Sequence, residues 1–310
     1  VIKTFPTNLL TLESCDCGGK TTLYNAIHKE SSFAWNIQDR SWLSMLVYAK
    51  LYGRSTADHA KGLWSELSNL NNRMIFLLPP WEVIHERFNS RGDEHQNEES
   101  LKRLYGLFED HDWVTRLPSV LFVDNSATKP EETAAKVVEW LNKKETMSVK
   151  DIANEVRQFV ENIPNTMTLH DHETSLQFSF IDDGTFQHVN HDICFDPQEG
   201  AYYQNIIERF HNKLQKEIMG DNDYKEVQGT KSRRFIYTDD SCISLYHMLN
   251  RNGCMNVNVT LRSSNVRTTL HKDIDFVYYM THMTHLMFTK QFPNAKTIFN
   301  ITINSAHVVR

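Results

Sequence analysis

The sequence predicts an α/β domain built on a parallel sheet, followed by an α+β domain. Three observations carry this expectation. Short apolar runs alternate with amphipathic helices through the first half. The polar stretch "KKETMSVKD" (143–151) then interrupts the pattern. Beyond it the chain mixes strand-and-turn segments with long helices. A length of 310 residues suits two domains of roughly 150 residues each, with bounds at 1–146 and 147–310.

The elements follow in order. "NLLTLE" (8–13), "RMIFLL" (73–78) and "SVLFVD" (119–124) are continuous apolar runs of strand length, as buried parallel strands require. "TTLYNAIHKE" follows the first of them as a helix. "KPEETAAKVVEWLNKK" (129–144) is a helix with Pro130 near its first turn and lysines at its end. In the second half "TMTLHDHETSLQFSFIDDGTFQHV" (166–189) suits strands and turns, and "YYQNIIERFHNKLQKEI" (202–218) is a long amphipathic helix. "CMNVNVTLRS" (254–263) alternates like a strand, and "IDFVYYMTHMTHLMF" (274–288) is a buried helix.

Composition excludes some classes. A net charge near −6 and a pI of about 6.2 argue against a nucleic-acid grip spread over the whole surface, though a local basic groove stays open. No apolar run approaches the ~18 residues of a membrane span, and no basic-then-apolar leader begins the chain, so no membrane partner is expected. Five irregularly spaced cysteines fit reduced thiols and a cytoplasmic location. His282 and His285, with "HDH" at 170–172, lack the cysteines or carboxylates that complete a metal site, and are read as helix-face and loop histidines.

Positions 13–22 read "ESCDCGGKTT". A phosphate cradle needs small residues at a turn, inward N–H groups, a lysine for the β- and γ-phosphates and a hydroxyl for magnesium. Gly18, Gly19, Lys20 and Thr21 supply these between a strand and a helix, with Ser14 where a glycine is usual.

Residues 1–145 resemble the thymidylate kinase family of deoxynucleoside monophosphate kinases. Glu13, Asp16, Gly19, Lys20, Thr21 and Thr22 match that family's loop, E-G-x-D-x-x-G-K-T-T, and Asp39-Arg40 matches its "DR" after the second strand. The resemblance implies that Asp16, Gly18, Gly19, Lys20, Thr21 and Thr22 bind ATP, with Thr21 and Asp39 near Mg2+. It implies that Arg40 holds the acceptor's monophosphate. The segment "HERFNSRGDEHQNEE" resembles the family's lid, where Arg87 and Arg91 would clamp the transferring phosphoryl group. One lysine, several arginines and Mg2+ are what a reaction dominated by positioning and charge stabilisation requires.

"KSRRFIYTDDSCISLYHMLNRNGCMNVNVTLRSSNV" (231–266) is similar to thymidylate synthase and its pyrimidine hydroxymethylase relatives. Arg233 and Arg234 stand in the family's "SRR", which supplies phosphate-binding arginines, often across a dimer interface. Cys242, Gly253 and Arg262-Ser263 keep the order of nucleophile, hairpin glycine and R-S motif, and His307 falls where a sugar contact is expected. The departures are Asn265 for an aspartate, Ile243 after the cysteine, a short interval from the arginines to Cys242, and Val309 for a tyrosine. No closing segment follows Arg310, so folate chemistry is not expected and Cys242 stands as a nucleophile without its usual setting. Asp273 occupies the place of the family's base-reading asparagine, and a carboxylate there suits cytosine's amino group.

The combined expectation is an ATP- and Mg2+-dependent kinase of a pyrimidine deoxynucleoside monophosphate, plain or 5-modified. Its synthase-like half would bind pyrimidine nucleotide and form a homodimer, in a fusion of bacteriophage type acting in an infected bacterium. One alternative places the acceptor, a 5-hydroxymethyl pyrimidine, in DNA. Another is a nucleotide-sensing protein with a silent synthase fold.

Overall fold

The computed structural model describes residues 9–32, 34–91, 97–145, 149–162, 174–182, 197–214, 216, 234–251, 254–265, 267–288 and 296–307. The chain divides into two compact units, Val1–Thr146 with Gln158–His170, and Met147–Arg157 with Asp171–Arg310.

The first unit runs β1 (Leu9–Glu13), α1 (Lys20–Glu30), β2 (Asn36–Asp39), α2 (Trp42–Leu51), α3 (Ala57–Leu67), β3 (Arg73–Leu77), α4 (Trp81–Arg91), α5 (Glu98–Glu109), β4 (Val120–Val123) and α6 (Pro130–Glu145). All strand pairs are parallel, in the order β2-β1-β3-β4. β1 and β3 lie in the middle, and four of the five residues in each are buried, which is why they read as continuous apolar runs. β2 is an edge strand whose sequence, NIQD, buries Ile37 alone, so it carries no apolar signal.

Side chains alternate between the two faces of the sheet. Leu10, Leu12, Ile75 and Leu77 meet Leu23 and Ile27 of α1 and Ala134, Val137 and Leu141 of α6 in one core layer. On the opposite face Phe76 packs edge-on against Phe108 of α5, with ring centres 6.1 Å apart. Chain order reverses at β1, whose successor β2 lies on one side and β3 on the other. Such a switch point opens a crevice at the carboxyl ends of the strands, where loop 14–19 begins.

A helix α7 (Val149–Asn162) follows, and its Phe159 packs against Trp64 of α3 within the first unit, with ring centres 5.9 Å apart. That return of the chain, across the polar stretch at 143–151, is not visible in composition.

The second unit comprises β5 (Thr174–Asp182), α8 (Pro197–Leu214), β6 (Arg234–Tyr237), β7 (Ile243–Arg251), β8 (Cys254–Leu261), β9 (Ser264–Asn265), α9 (Leu270–Phe288) and β10 (Lys296–His307). Its mixed sheet has the order β5-β10-β8-β7-β6, with β9 beside β10. β10 runs parallel to β8 and antiparallel to β5. β8 buries every second residue, from Met255 to Leu261, as a strand packed on one face must. Phe210 of α8 inserts among Phe235, Tyr237 and Tyr246, with ring centres 5.2–5.4 Å away in edge-to-face geometry. Among the described residues no helix is long and apolar enough to cross a membrane.

Candidate functional site

β1 ends at Glu13, and after six intervening residues α1 begins at Lys20. The loop between them turns through positive φ at Cys17 (60°) and Gly19 (94°). A Cβ on Gly18 would fall 1.7 Å from Ser14 Oγ, and one on Gly19 would lie 2.8 Å from Asn125 Nδ2. Neither position has room for a side chain, and Gly19 also needs its left-handed backbone.

Lys20 is almost fully buried, and its Nζ donates to the carbonyls of Ser14 and Cys15, both at 3.0 Å. Burial, then the charge of Arg40, lowers its pKa, while Asp16 and Asp39 pull it back. The start of α1 has no side-chain cap and no acidic residue in its first turn, and Thr21 and Thr22 are exposed there. Uncapped N–H groups and the helix dipole favour an anion at that end. Burial pushes the Cys15 thiol up to about 12, which favours the protonated form.

Arg40 follows β2 at φ 74°. Its Nη2 donates to Asp16 Oδ1 at 2.6 Å, Tyr48 Oη donates to Asp16 Oδ2 at 2.7 Å, and the guanidinium lies 4.9 Å from the centre of the Tyr48 ring. Burial opposes the charge on Asp16, but the hydrogen bonds from Tyr48 and Arg40 outweigh it and its pKa falls. Asp39 is exposed at the end of β2.

On the other side of the loop, Arg87 Nη1 donates to Gly18 O and to Asn125 Oδ1, both at 3.3 Å. Asn125 Nδ2 reaches the same Gly18 carbonyl at 2.9 Å. A cavity of about 430 Å³ opens here, walled by Cys17, Gly19, Thr22, Arg87, Arg91, Asn125 and Thr128. The structure thus brings Gly18, Gly19, Lys20, Thr22, Arg87 and Arg91 together at one loop, with Asp16 tied to Arg40. Lid residues 92–96 lie outside the described residues. Sequence reading missed Asn125, Thr128 and Tyr48. Asn125 was findable, because it follows β4 at the carboxyl edge of the sheet. Tyr48 carries no such mark within α2.

Thr21 and Asp39 offer the oxygen donors that Mg2+ prefers. Among the described residues no cluster of three or more histidines, cysteines or carboxylates could hold a metal by itself.

In the second unit the N–H of Arg262 donates to Cys242 O at 2.7 Å, so the hairpin β7–β8 brings the candidate nucleophile and the R-S arginine side by side. Arg262 and Ser263 are exposed and Cys242 is half-buried. Asp239, three residues earlier, receives two nitrogens of Arg209 at 2.8–3.1 Å and the Tyr237 hydroxyl. Although burial works against its charge, these bonds lower its pKa to about 2. Asp273 is 3% exposed and receives Ser264 Oγ at 2.7 Å and Tyr203 Oη at 2.8 Å. Burial raises its pKa. Both its oxygens are engaged inside the unit, linking α8, β9 and α9, whereas contact with a base needs an open edge. Arg234 begins β6 and His307 ends β10 opposite Asn265, with side chains outside the described set. His282 and His285 fall within α9, their side chains likewise outside it. Arg233, Gly253, Val309 and positions 170–172 lie outside the described residues altogether.

No family model matches the chain, and no curated protein matches it by sequence. Among solved structures it is similar to the YorR protein of Bacillus subtilis, determined in complex with phosphorylated GDP. That match has 19% identity and a TM-score of 0.38, over 45% of this chain and 99% of YorR. It is also similar to thymidylate synthase from T4 phage, at 14% identity and a TM-score of 0.23, over 38% of this chain and 50% of the synthase. Likenesses this remote neither name the chain nor assign its chemistry.

Proposed function

We propose that the first unit is a phosphotransferase that moves the γ-phosphoryl group of ATP to a pyrimidine deoxynucleoside monophosphate, 5-modified forms included. The observation that carries this reading is Lys20, held by the carbonyls of Ser14 and Cys15 in a loop with no room for a Cβ at Gly18 or Gly19, ahead of an uncapped helix. That is a cradle for polyphosphate. Lys20 and the first N–H groups of α1 would bind the β- and γ-phosphates. Arg40 would hold the acceptor phosphate, and Arg87 and Arg91 would face the transferring group from the other wall. An acceptor phosphate oxygen forms the new bond to the γ-phosphorus as the bond to the ADP oxygen breaks. Thr21 and Asp39 would hold Mg2+, which supplies charge neutralisation when bound.

The second unit, on this proposal, binds a pyrimidine nucleotide through Arg233, Arg234, Arg262, Ser263 and His307 and forms a homodimer. Cys242 has Arg262 beside it but needs no folate for this role.

One observation favours a second reading, with the acceptor base carried in DNA. α2, next to Arg40, exposes Trp42 (43%) and Met45 (52%), and Tyr52 just after its end is 55% exposed. The Arg54 guanidinium lies 5.2 Å from the centre of the Tyr52 ring, which itself stacks on Tyr48. Exposed aromatics interleaved with arginines suit single-stranded nucleic acid.

Transfer from γ-labelled ATP with Mg2+ tests both. The acceptors are dTMP, dUMP, dCMP, their 5-hydroxymethyl forms and hydroxymethylated DNA, with Lys20→Ala as control. Label on a mononucleotide, lost in the variant, supports the first reading, and label on DNA alone supports the second. No label on any acceptor would reject both and leave nucleotide sensing.

A further inference from the structure

Arg40 has a backbone that its side chain does not explain. A residue with a Cβ holds φ near 74° only where its surroundings impose it. Three contacts do so here. The N–H of Arg40 donates to Leu12 O at 3.0 Å. The next N–H, of Ser41, donates to Glu13 Oε1. The Arg40 side chain reaches Asp16.

Glu13 is the hub. It is fully buried, ends β1 and immediately precedes the phosphate loop. Besides Ser41 it accepts from the N–H of Ser44 at 3.3 Å and from the Ser44 hydroxyl. One carboxylate therefore joins the start of the donor loop, the residue after Arg40 and the first turn of α2. A helix N-terminus favours a negative charge. The Nη1 of Arg40 is buried and, among the described residues, has no hydrogen-bond partner.

Resting on the kinase reading, we infer that Glu13 is a positioning residue that fixes Arg40 against the phosphate loop, so that donor cradle and acceptor arginine form one rigid piece. Glu13 touches neither nucleotide. Its removal loosens the Arg40 turn and leaves Lys20, Gly18 and Gly19 with their own contacts.

The test is calorimetric binding to the whole chain of ADP with Mg2+ and, separately, of dTMP, dUMP and dCMP. Glu13→Gln keeps the volume but places an amide NH2 against groups that donate. It is expected to weaken the mononucleotide that wild type binds by about tenfold, the worth of one charge-assisted hydrogen bond, while ADP stays within about twofold. Ser44→Ala removes a donor to Glu13 without burying an unpaired charge, and is expected to shift the same selectivity by about threefold. Parallel loss of both ligands in Ser44→Ala marks Glu13 as a general structural residue and overturns the inference, as does unchanged mononucleotide binding. Wild type that binds no mononucleotide overturns the kinase reading, and the inference with it.

Discussion

Glu66 makes a prediction that can be worked through from the structure. Its Oε2 accepts the N–H of Trp42 at 3.1 Å, at the end of α2 that Glu13 also occupies. Burial first, and then the nearby charge of Glu13, raise its pKa from 4.5 to about 7. At about 1.4 kcal/mol per pH unit of displacement, that is about 3 kcal/mol, and about 2 after discounting for partial solvent screening. The sign follows from proton binding. Between about pH 4.5 and 7 the folded chain keeps a proton that the unfolded chain has lost, so stability falls as pH rises through that window and levels off above it. Glu66→Gln keeps an acceptor for Trp42 and does not titrate. The variant is therefore expected to match wild type near pH 4.5 and to exceed it by about 2 kcal/mol near pH 8. Urea titrations followed by tryptophan fluorescence suit the measurement, because all six tryptophans lie between positions 35 and 140, within the first unit. A difference that stays constant with pH, or a variant less stable at pH 8, would refute the assignment.

Three further perturbations separate parts of the molecule. Asn125→Ala removes the side-chain amide that binds Gly18 O and Arg87, and is expected to weaken ADP about tenfold in calorimetry with little change in folding. Gly19→Ala places a Cβ 2.8 Å from Asn125 Nδ2 at φ 94°, and is expected to cost about 1–2 kcal/mol in urea and to abolish ADP binding. Phe210→Ala empties the centre of an aromatic cluster in the second unit, and is expected to cost about 3–5 kcal/mol, read by circular dichroism on heating.

The parts of the fold that were legible in the sequence are those where one physical demand governs each residue. β1 and β3 are buried on both faces and so are spelled as apolar runs, and α6 carries its proline and lysines where helix ends want them. β2 was legible only through Asp39-Arg40, because an edge strand that buries Ile37 alone leaves no periodic mark. The cradle was legible because Gly18, Gly19 and Lys20 must be adjacent. Its other wall was legible only as a place at the carboxyl end of β4, since the contact of Asn125 with Gly18, 107 residues away in the chain, is made through the sheet. Asp273 shows the converse. Its position after the R-S motif suggested an edge facing a base, but sequence position does not reveal that Tyr203, 70 residues away, already holds one oxygen.

α1 and α2 both begin at the carboxyl edge of the same parallel sheet, and their contrast bears on where a phosphate can go. The start of α2 is saturated: Ser41 and Ser44 donate to Glu13, Trp42 donates to Glu66, and Leu43 donates to the Ser41 hydroxyl. The N–H groups at that end are already taken and offer nothing to a further anion. The start of α1 has no side-chain cap, no carboxylate in its first turn and Lys20 folded over the loop that precedes it. On the kinase reading, donors spent at one helix start and left open at the other direct an incoming polyphosphate to α1. On the proposed reading the same Glu13 that closes α2 also sets Arg40, so exclusion at one helix and positioning for the acceptor would be consequences of one buried carboxylate. Exchanging it should disturb the second site before the first, which is the order of losses the binding experiment measures.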